Sequence, residues 1–325
     1  MNTINKPISI TFAGHFAVDN IIRFNVENEP TLGGSVTYCS LALSNYANDV
    51  EIHIISCIGK NNFNNSFLDI LKKQNINLKG ITWYDTNNTN FVLRYSDHSR
   101  TLILRSKSPD LSIKNIPKEY LKEPPDAFVF VPICNEIPFD FVESIVNLFP
   151  KSYIGMDLQG FIRKIDDNGN VLMEREEKML ENINKIIDIT GDKLILKGSE
   201  EEMKLISGKT NLDEVMEYFN AVRFKGISIM TLGENGSMIT RRGEKLLKIP
   251  AFRPKKVEDE TGAGDAYLAI FMYEFLKSDK LWDSIAQAGL FASAAASFLV
   301  EEKGPYGFKS KEQILERIRN KKYIF

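Results

Sequence analysis

The chain has 325 residues, 43% of them hydrophobic and 26% charged, and a formal net charge of -2. This is the composition of a soluble globular protein with a large core, long enough for one large domain or two. The near-neutral balance argues against a nucleic-acid partner, which calls for a basic excess, while leaving room for a local basic patch.

Residues 1–7 are polar and lack the apolar stretch of a secretory signal. A strand is expected at 9–13, with Ile8, Ile10 and Phe12 alternating, and a helix at 34–47, with Tyr38, Leu41, Ala42 and Tyr46 inward. Between them, 19–31 shows no helix period. A strand at 51–57 and a helix at 63–74 follow. Residues 91–95 and 101–105 are β-rich arms around Ser96-Asp97-His98-Ser99, the pattern of a hairpin. Ala127-Phe128-Val129-Phe130-Val131 is a continuous apolar run, as in a strand buried on both faces. Then come a helix at 139–148, a strand at 153–157, a charged amphipathic helix at 171–187, and strands at 193–197, 227–231, 237–240 and 245–249. Helices are expected at 200–206, 212–224, 263–276, 282–300 and 311–319. The alternation specifies an α/β fold, doubly wound, with a mainly parallel sheet and helices on both faces.

The most apolar long run, 286–300, is broken by Gln287, Ser293 and Ser297 and is too short for a bilayer, so it reads as a buried helix and no membrane partner is expected. Cys39, Cys57 and Cys134 are few, scattered and odd in number, which fits buried thiols in a reducing, cytoplasmic setting. His15, His53 and His98 show no metal-ligand spacing.

Thr261-Gly262-Ala263-Gly264-Asp265 carries the most chemistry. Leu268, Phe271, Met272 and Phe275 follow at the spacing of one helix face, so the glycines sit where a helix begins. The first N–H groups of a helix lack internal partners and the dipole is positive there, which suits an anion. Gly262 and Gly264 let a phosphate reach the backbone. A carboxylate at Asp265 repels phosphate, but it makes sense as the base that takes a proton from a hydroxyl attacking phosphorus. The same pattern also serves a plain tight turn with Asp265 as a dipole partner. Other motifs fail. Gly208-Lys209-Thr210 resembles the end of a phosphate-binding loop, but Met203 stands where the first glycine belongs. No Gly-x-Gly-x-x-Gly follows the first strand, and there is no Gly-x-Ser-x-Gly elbow.

Residues 257–265 resemble the C-terminal signature of the ribokinase (PfkB) family of carbohydrate kinases, Asp-x-Thr-Gly-Ala-Gly-Asp. Gly33-Gly34-Ser35, ahead of a helix, is similar to the family's Gly-Gly pair, and Thr231-Leu232-Gly233-Glu234-Asn235-Gly236 to its Thr-x-Gly-x-x-Gly nucleotide loop. Order, spacing and length fit over essentially the whole chain. The resemblance implies a single ribokinase-like domain over 1–325, with a small β-lid built from insertions at about 16–33 and 84–108. It makes Asp265 the base, with the Gly262, Ala263 and Gly264 amides as the anion hole. Asp19, Gly33, Gly34, Ser35, Gln159 and Arg163 would bind substrate, the last two from a segment resembling Asp-Pro-Asn-x-x-x-Arg. Lys197, Thr231, Gly233, Glu234, Gly236 and Gly264 would border ATP. Glu202 matches the glutamate of Asn-x-x-Glu, which holds Mg²⁺ through water. Ser199 to Glu202 is equally the pattern of a helix capping box. Asp259 and Thr261 resemble positions near a monovalent-cation loop in some relatives. The chain departs from the family at Ser35 and Ser199, where asparagine is common. The expected activity is ATP-dependent phosphorylation of a hydroxyl on a sugar or cyclic polyol, with a likeness to the inositol-kinase-like branch. A nucleoside kinase, with Phe91, Tyr95 or Phe161 stacking a base, and a non-catalytic sugar or nucleotide sensor are the alternatives. An open lid edge leaves room for a homodimer through the lid.

Overall fold

Residues 127–130 read Ala-Phe-Val-Phe, and all four are fully buried. Successive side chains of a strand point to opposite faces, so a strand with no polar position must be covered on both. Val129 belongs to one core with Ile10, Phe12 and Ile229. Phe128 and Phe130 belong to a second, with Ile154, Met156 and Leu196. The helices Ser35–Tyr46, Ala263–Lys277 and Trp282–Leu299 close the first core. Phe139–Leu148, Glu177–Thr190, Glu200–Ser207 and Leu212–Phe219 close the second.

The structure is a computed structural model that describes residues 6–23, 26–27, 29–96, 99–221, 223–321 and 323–324. Its strands in chain order are β1 (Ile8–Ala13), β2 (Ala17–Arg23), β3 (Val26–Glu27), β4 (Thr31–Gly33), β5 (Val50–Gly59), β6 (Asn77–Tyr84), β7 (Asn90–Ser96), β8 (Ser99–Ser106), β9 (Ala127–Phe130), β10 (Tyr153–Asp157), β11 (Arg163–Ile165), β12 (Val171–Met173), β13 (Leu194–Ser199), β14 (Ile227–Thr231), β15 (Ser237–Arg241) and β16 (Leu247–Ile249). Among the described residues the main sheet has the order β16-β15-β14-β13-β10-β9-β1-β5-β6 and is parallel except at β15 and β16. With helices on both faces, it is the doubly wound α/β sheet that the alternation specifies. The order reverses between β1 and β9, and in such sheets ligands lie beyond the carboxyl ends of the strands at that point.

A second sheet has the order β3-β2-β7-β8, with β4 also paired to β2. β2 and β7 run parallel, and the other pairs are antiparallel. The two hairpin arms expected at 91–95 and 101–105 are β7 and β8. Asp97 and His98 of their connecting turn, like residues 1–5, lie outside the described residues, as does the Tyr95 side chain.

Several elements differ from the sequence expectation, among them the helix expected at 212–224, which ends at Phe219. The helix expected at 171–187 starts only at Glu177, because Val171 to Met173 pair with β11 in an antiparallel hairpin. The strand β6 has no counterpart in the sequence reading. It lies at the sheet edge, where Asn77, Lys79 and Gly80 interrupt the apolar alternation. The helix expected at 63–74 is a 3₁₀ turn, Asn65–Leu68, followed by the short helix Asp69–Lys73. The three cysteines are buried and free. Among the described residues no helix is long and apolar enough to cross a membrane.

Candidate active site

The helix Ala263–Lys277 begins on Gly262, which is left-handed at φ 79°. A Cβ at that position would lie 2.0 Å from the buried Tyr38 ring, so only glycine fits. Asp265 falls in the first helical turn and is 7% exposed. Ser35 lines the same cavity as Asp265 and favours the ionised form of its carboxyl, while Oδ1 has no hydrogen-bond partner. Burial, and then the charge of Asp157, push the Asp265 carboxyl up to about 6, against the opposing pull of Lys197, Ser35 and Arg163. One of the three expected anion-hole amides is already used. The Ala263 N–H donates to the Glu260 carbonyl at 3.2 Å, so Ala263 is corrected to a turn-forming residue.

Behind this turn lies a buried charge cluster. Lys197 Nζ donates to Asp157 Oδ2 at 2.5 Å, and both side chains are almost fully enclosed. Lys197 is therefore not a solvated lysine. A Cβ on Gly264 would stand 2.7 Å from its ammonium, which places that cation against the start of the helix. Burial disfavours the Lys197 charge, but Asp157, Glu202 and Asp265 outweigh it and hold the group protonated. Glu202 is raised by burial and by Asp157. It also completes the capping box: the Ser199 N–H donates to Glu202 Oε2 at 2.7 Å, and the Glu202 N–H to Ser199 Oγ at 3.3 Å.

Two cavities meet here. The first, about 240 Å³, is lined by Asp19, Gly34, Ser35, Gln159, Arg163 and Asp265 on its polar side. Its apolar side is Phe91, Leu93, Leu102 and Ile133, largely from the second sheet. The second cavity, about 300 Å³, is bordered by Thr231, Gly233, Glu234 and Gly236, with a wall of mainly apolar side chains that includes Phe252, Pro254, Val257, Tyr267 and Val300. Glu260 and Gly264 line both. Arg163 Nη1 donates to the Ile133 carbonyl at 2.7 Å.

Most of the residues singled out in the sequence thus converge. Gly33 does not line the first cavity. A Cβ there would fall 1.8 Å from Asp19 Oδ2, so this glycine makes room for the aspartate. Lys197 and Glu202 line neither cavity and stand behind them. Phe161 packs against the second core rather than in the first cavity. Asp259 ties its loop together, accepting from the Thr261 N–H at 3.0 Å and the Gly304 N–H at 3.3 Å. Sequence reasoning passed over Tyr38, Leu102, Ile133, Glu260, Phe252 and Ile324 as cavity residues. Glu260 alone carried a signal, being inside the Gly-rich motif. The fold also gathers His15, Cys134 and Glu136. Their polar atoms are engaged: Glu136 accepts from the His15, Ile133 and Cys134 N–H groups, and the two ring nitrogens of His15 pair with Thr89 Oγ1 and the Pro109 carbonyl.

The family model of the pfkB family carbohydrate kinases matches residues 39–312. The chain belongs to this family. It is accordingly a phosphotransferase with an alcohol group as acceptor, a sugar or nucleoside kinase of the ribokinase type. This kinase is 27% identical to a nucleoside kinase of Methanocaldococcus jannaschii over 96% of its own length and 97% of the relative's. Its fold superimposes on a pyrophosphate-dependent kinase of the ribokinase family, complexed with a pyrophosphate analog and myo-inositol, with TM-score 0.73 and 20% identity, covering 94% of this chain and 99% of that one. An uncharacterized sugar kinase from Pyrococcus horikoshii in complex with ATP matches equally, with TM-score 0.73, 20% identity, and 95% and 99% coverage.

Proposed function

We propose that the kinase transfers the γ-phosphoryl group of ATP to a hydroxyl of a sugar or cyclic polyol. The observation that carries this is the junction of the two cavities at Gly264, with a buried carboxylate, Asp265, whose Oδ1 has no partner, lining the acceptor side. The acceptor lies in the first cavity with a vicinal diol on Asp19, since a carboxylate accepts two hydrogen bonds. Asp265 takes the proton of the attacking hydroxyl. The Gly264 amide stabilises charge on the phosphoryl oxygens, and Arg163, on the wall of the first cavity, supplies a fork for oxygens of the acceptor. The second sheet serves as the lid that excludes water.

The apolar wall of the second cavity favours a nucleoside triphosphate as donor. Bare pyrophosphate has no group to place against Phe252, Pro254 and Val300, which then stay wet. The charge of the cluster favours a hard divalent cation, although its carboxylate oxygens are not close enough together to ligate one directly. Asp157, Glu202 and Asp265 outnumber Lys197 and Arg163, and carboxylate oxygens are the donors such an ion takes. Glu202 would hold Mg²⁺ through water, and the ion would neutralise phosphate charge.

One observation supports a second acceptor class. Phe91, Leu93, Leu102 and Ile133 give the first cavity an apolar wall on which a nucleoside base packs well. A coupled ADP-release assay across sugars, inositols and nucleosides, with ATP and pyrophosphate as donors, separates the possibilities. Turnover on a free sugar or inositol with ATP is expected. Turnover on nucleosides alone replaces the acceptor assignment, and binding with no turnover on any alcohol refutes the kinase reading.

A further inference from the structure

Arg163 opens a hairpin whose far end is seated on the lid. β11 and β12 pair Arg163 with Met173 and Ile165 with Val171. Asp166 shapes the turn between them. Its Oδ1 accepts from the Asn168 N–H at 2.9 Å and the Asn170 N–H at 2.7 Å, and its Oδ2 from Asn170 Nδ2 at 2.8 Å. The turn then delivers the Gly169 carbonyl to the Leu104 N–H at 2.8 Å, and Asn170 bridges to Ile103. The hairpin so continues the second sheet beyond β8, and an edge expected to be open to another subunit is partly covered from within. Gly169 has φ 81°, and a Cβ there would lie 2.4 Å from the Leu104 carbonyl oxygen. The left-handed backbone and the close approach both call for glycine.

The near end of the hairpin is fixed as firmly. Asn135 Nδ2 donates to the Arg163 carbonyl, and Arg163 Nη1 to the Ile133 carbonyl. Val171 packs with Phe91, Leu93 and Ile133. Leu102, two residues from Leu104 on β8, lines the first cavity together with Arg163. One wall of that cavity and its guanidinium are therefore two ends of a single hydrogen-bonded unit.

We infer that Gly169 and Asp166 are positioning residues for transfer: they lock the hairpin to β8, so that the lid wall and the Arg163 guanidinium engage the acceptor together. This rests on the proposed roles of Arg163 and of the lid. An arginine fork is useful only in register with its oxygens, and small misplacements are costly in rate. Breaking the lock loosens the acceptor end of the site and leaves the ATP end untouched. ATP hydrolysis without acceptor then rises relative to transfer.

The test compares Gly169→Ala with Gly243→Ala. Gly243 has φ 84°, and a Cβ there meets nothing within 4 Å, so it shares the backbone strain and lacks the contact. With whichever of ribose, myo-inositol or adenosine supports turnover, Gly169→Ala is expected to lower kcat/KM for the acceptor by about tenfold to a hundredfold. The KM for ATP stays within about twofold, since nothing at the donor end moves. Gly243→Ala keeps the wild-type values. Asp166→Ala behaves like Gly169→Ala, whereas Asp166→Asn, which retains an oxygen for the two backbone N–H groups, restores wild-type kinetics. Hydrogen exchange at 101–106 slows on acceptor binding in the wild type and loses that response in Gly169→Ala. Wild-type acceptor kinetics in both folded Gly169→Ala and Asp166→Ala overturn the inference. If Gly169→Ala melts early, the Asp166→Ala and Asp166→Asn pair decides. Asp265→Asn is assayed alongside. If it retains turnover, the kinase mechanism fails; if it is inactive while the hairpin variants are normal, only the positioning role fails.

Discussion

Asp265→Asn separates catalysis from stability in a way that a merely structural aspartate does not. Burial and the Asp157 charge move the Asp265 carboxyl from 3.8 to about 6. At 1.36 kcal/mol per tenfold change in proton affinity, ionising it costs the folded state about 3 kcal/mol. The sign follows from linkage. The folded protein binds this proton more tightly than the unfolded chain, so this contribution is fully favourable below 3.8, is lost as the pH rises from 3.8 to about 6, and stays lost above. Asparagine cannot ionise, so at pH 8 it removes the cost, but it leaves one amide atom unpaired where Oδ1 now stands, at about 1 kcal/mol. The net gain is about 2 kcal/mol, or a Tm increase of about 4 °C. Turnover should fall by about a hundredfold to ten-thousandfold, the worth of a general base. The wild-type profile of kcat/KM against pH should show an acid limb near 6, because only the ionised carboxylate accepts the proton. Melting curves at pH 5 and 8 and the coupled assay measure all three. Near-normal turnover in the variant, or a loss of stability at pH 8, refutes the reasoning.

Lys197→Met strips the cation from Asp157 and leaves a buried carboxylate unpaired, so a stability loss of about 3–5 kcal/mol is expected in denaturant titrations. Because the Lys197 charge lowers Asp265, the acid limb should also move to higher pH in whatever activity survives. Ser35→Ala removes a side chain that favours the ionised Asp265 carboxylate, so the acid limb of kcat/KM should move to higher pH, and an unmoved limb would show that Ser35 does not tune this base. Ala296→Phe fills the second cavity. The KM for ATP should increase by about tenfold or more with the acceptor affinity unchanged by calorimetry, and an unchanged KM for ATP would show that the donor lies elsewhere.

The main sheet was legible because its strands are buried on both faces. A run such as 127–131 has no polar residue to confuse it with a surface element. The anion turn was legible because Gly262 has no substitute where a Cβ would strike Tyr38. What escaped depends on pairing through space. β6 is a half-buried edge strand with no clean alternation, and 171–173 became a strand only because the turn after Asp166 folds it back on β11. The apolar cavity walls escaped for the same reason. Leu102, Ile133 and Phe252 look like any core residue in sequence, and only the fold turns them toward a cavity. The burial of Lys197 is not visible in sequence, because its partner, Asp157, is forty positions away on the neighbouring strand.

The two departures from the family pattern now have physical accounts, and these point back to one carboxylate. Ser199 accepts the N–H of Glu202 and anchors that glutamate by the return bond from its own N–H, so serine caps this helix start in place of asparagine. Ser35 lines the first cavity beside Asp265 and favours the ionised form of that carboxyl. Serine at this position stabilises the ionised base, against burial and against Asp157. Lys197 acts in the same direction from behind Gly264. Without these two, an aspartate this buried beside another carboxylate would stay protonated further toward neutral pH and be a poorer base there. With them, it is held at about 6, ionised at neutral pH yet still basic enough to take a proton from an alcohol as the phosphoryl group arrives.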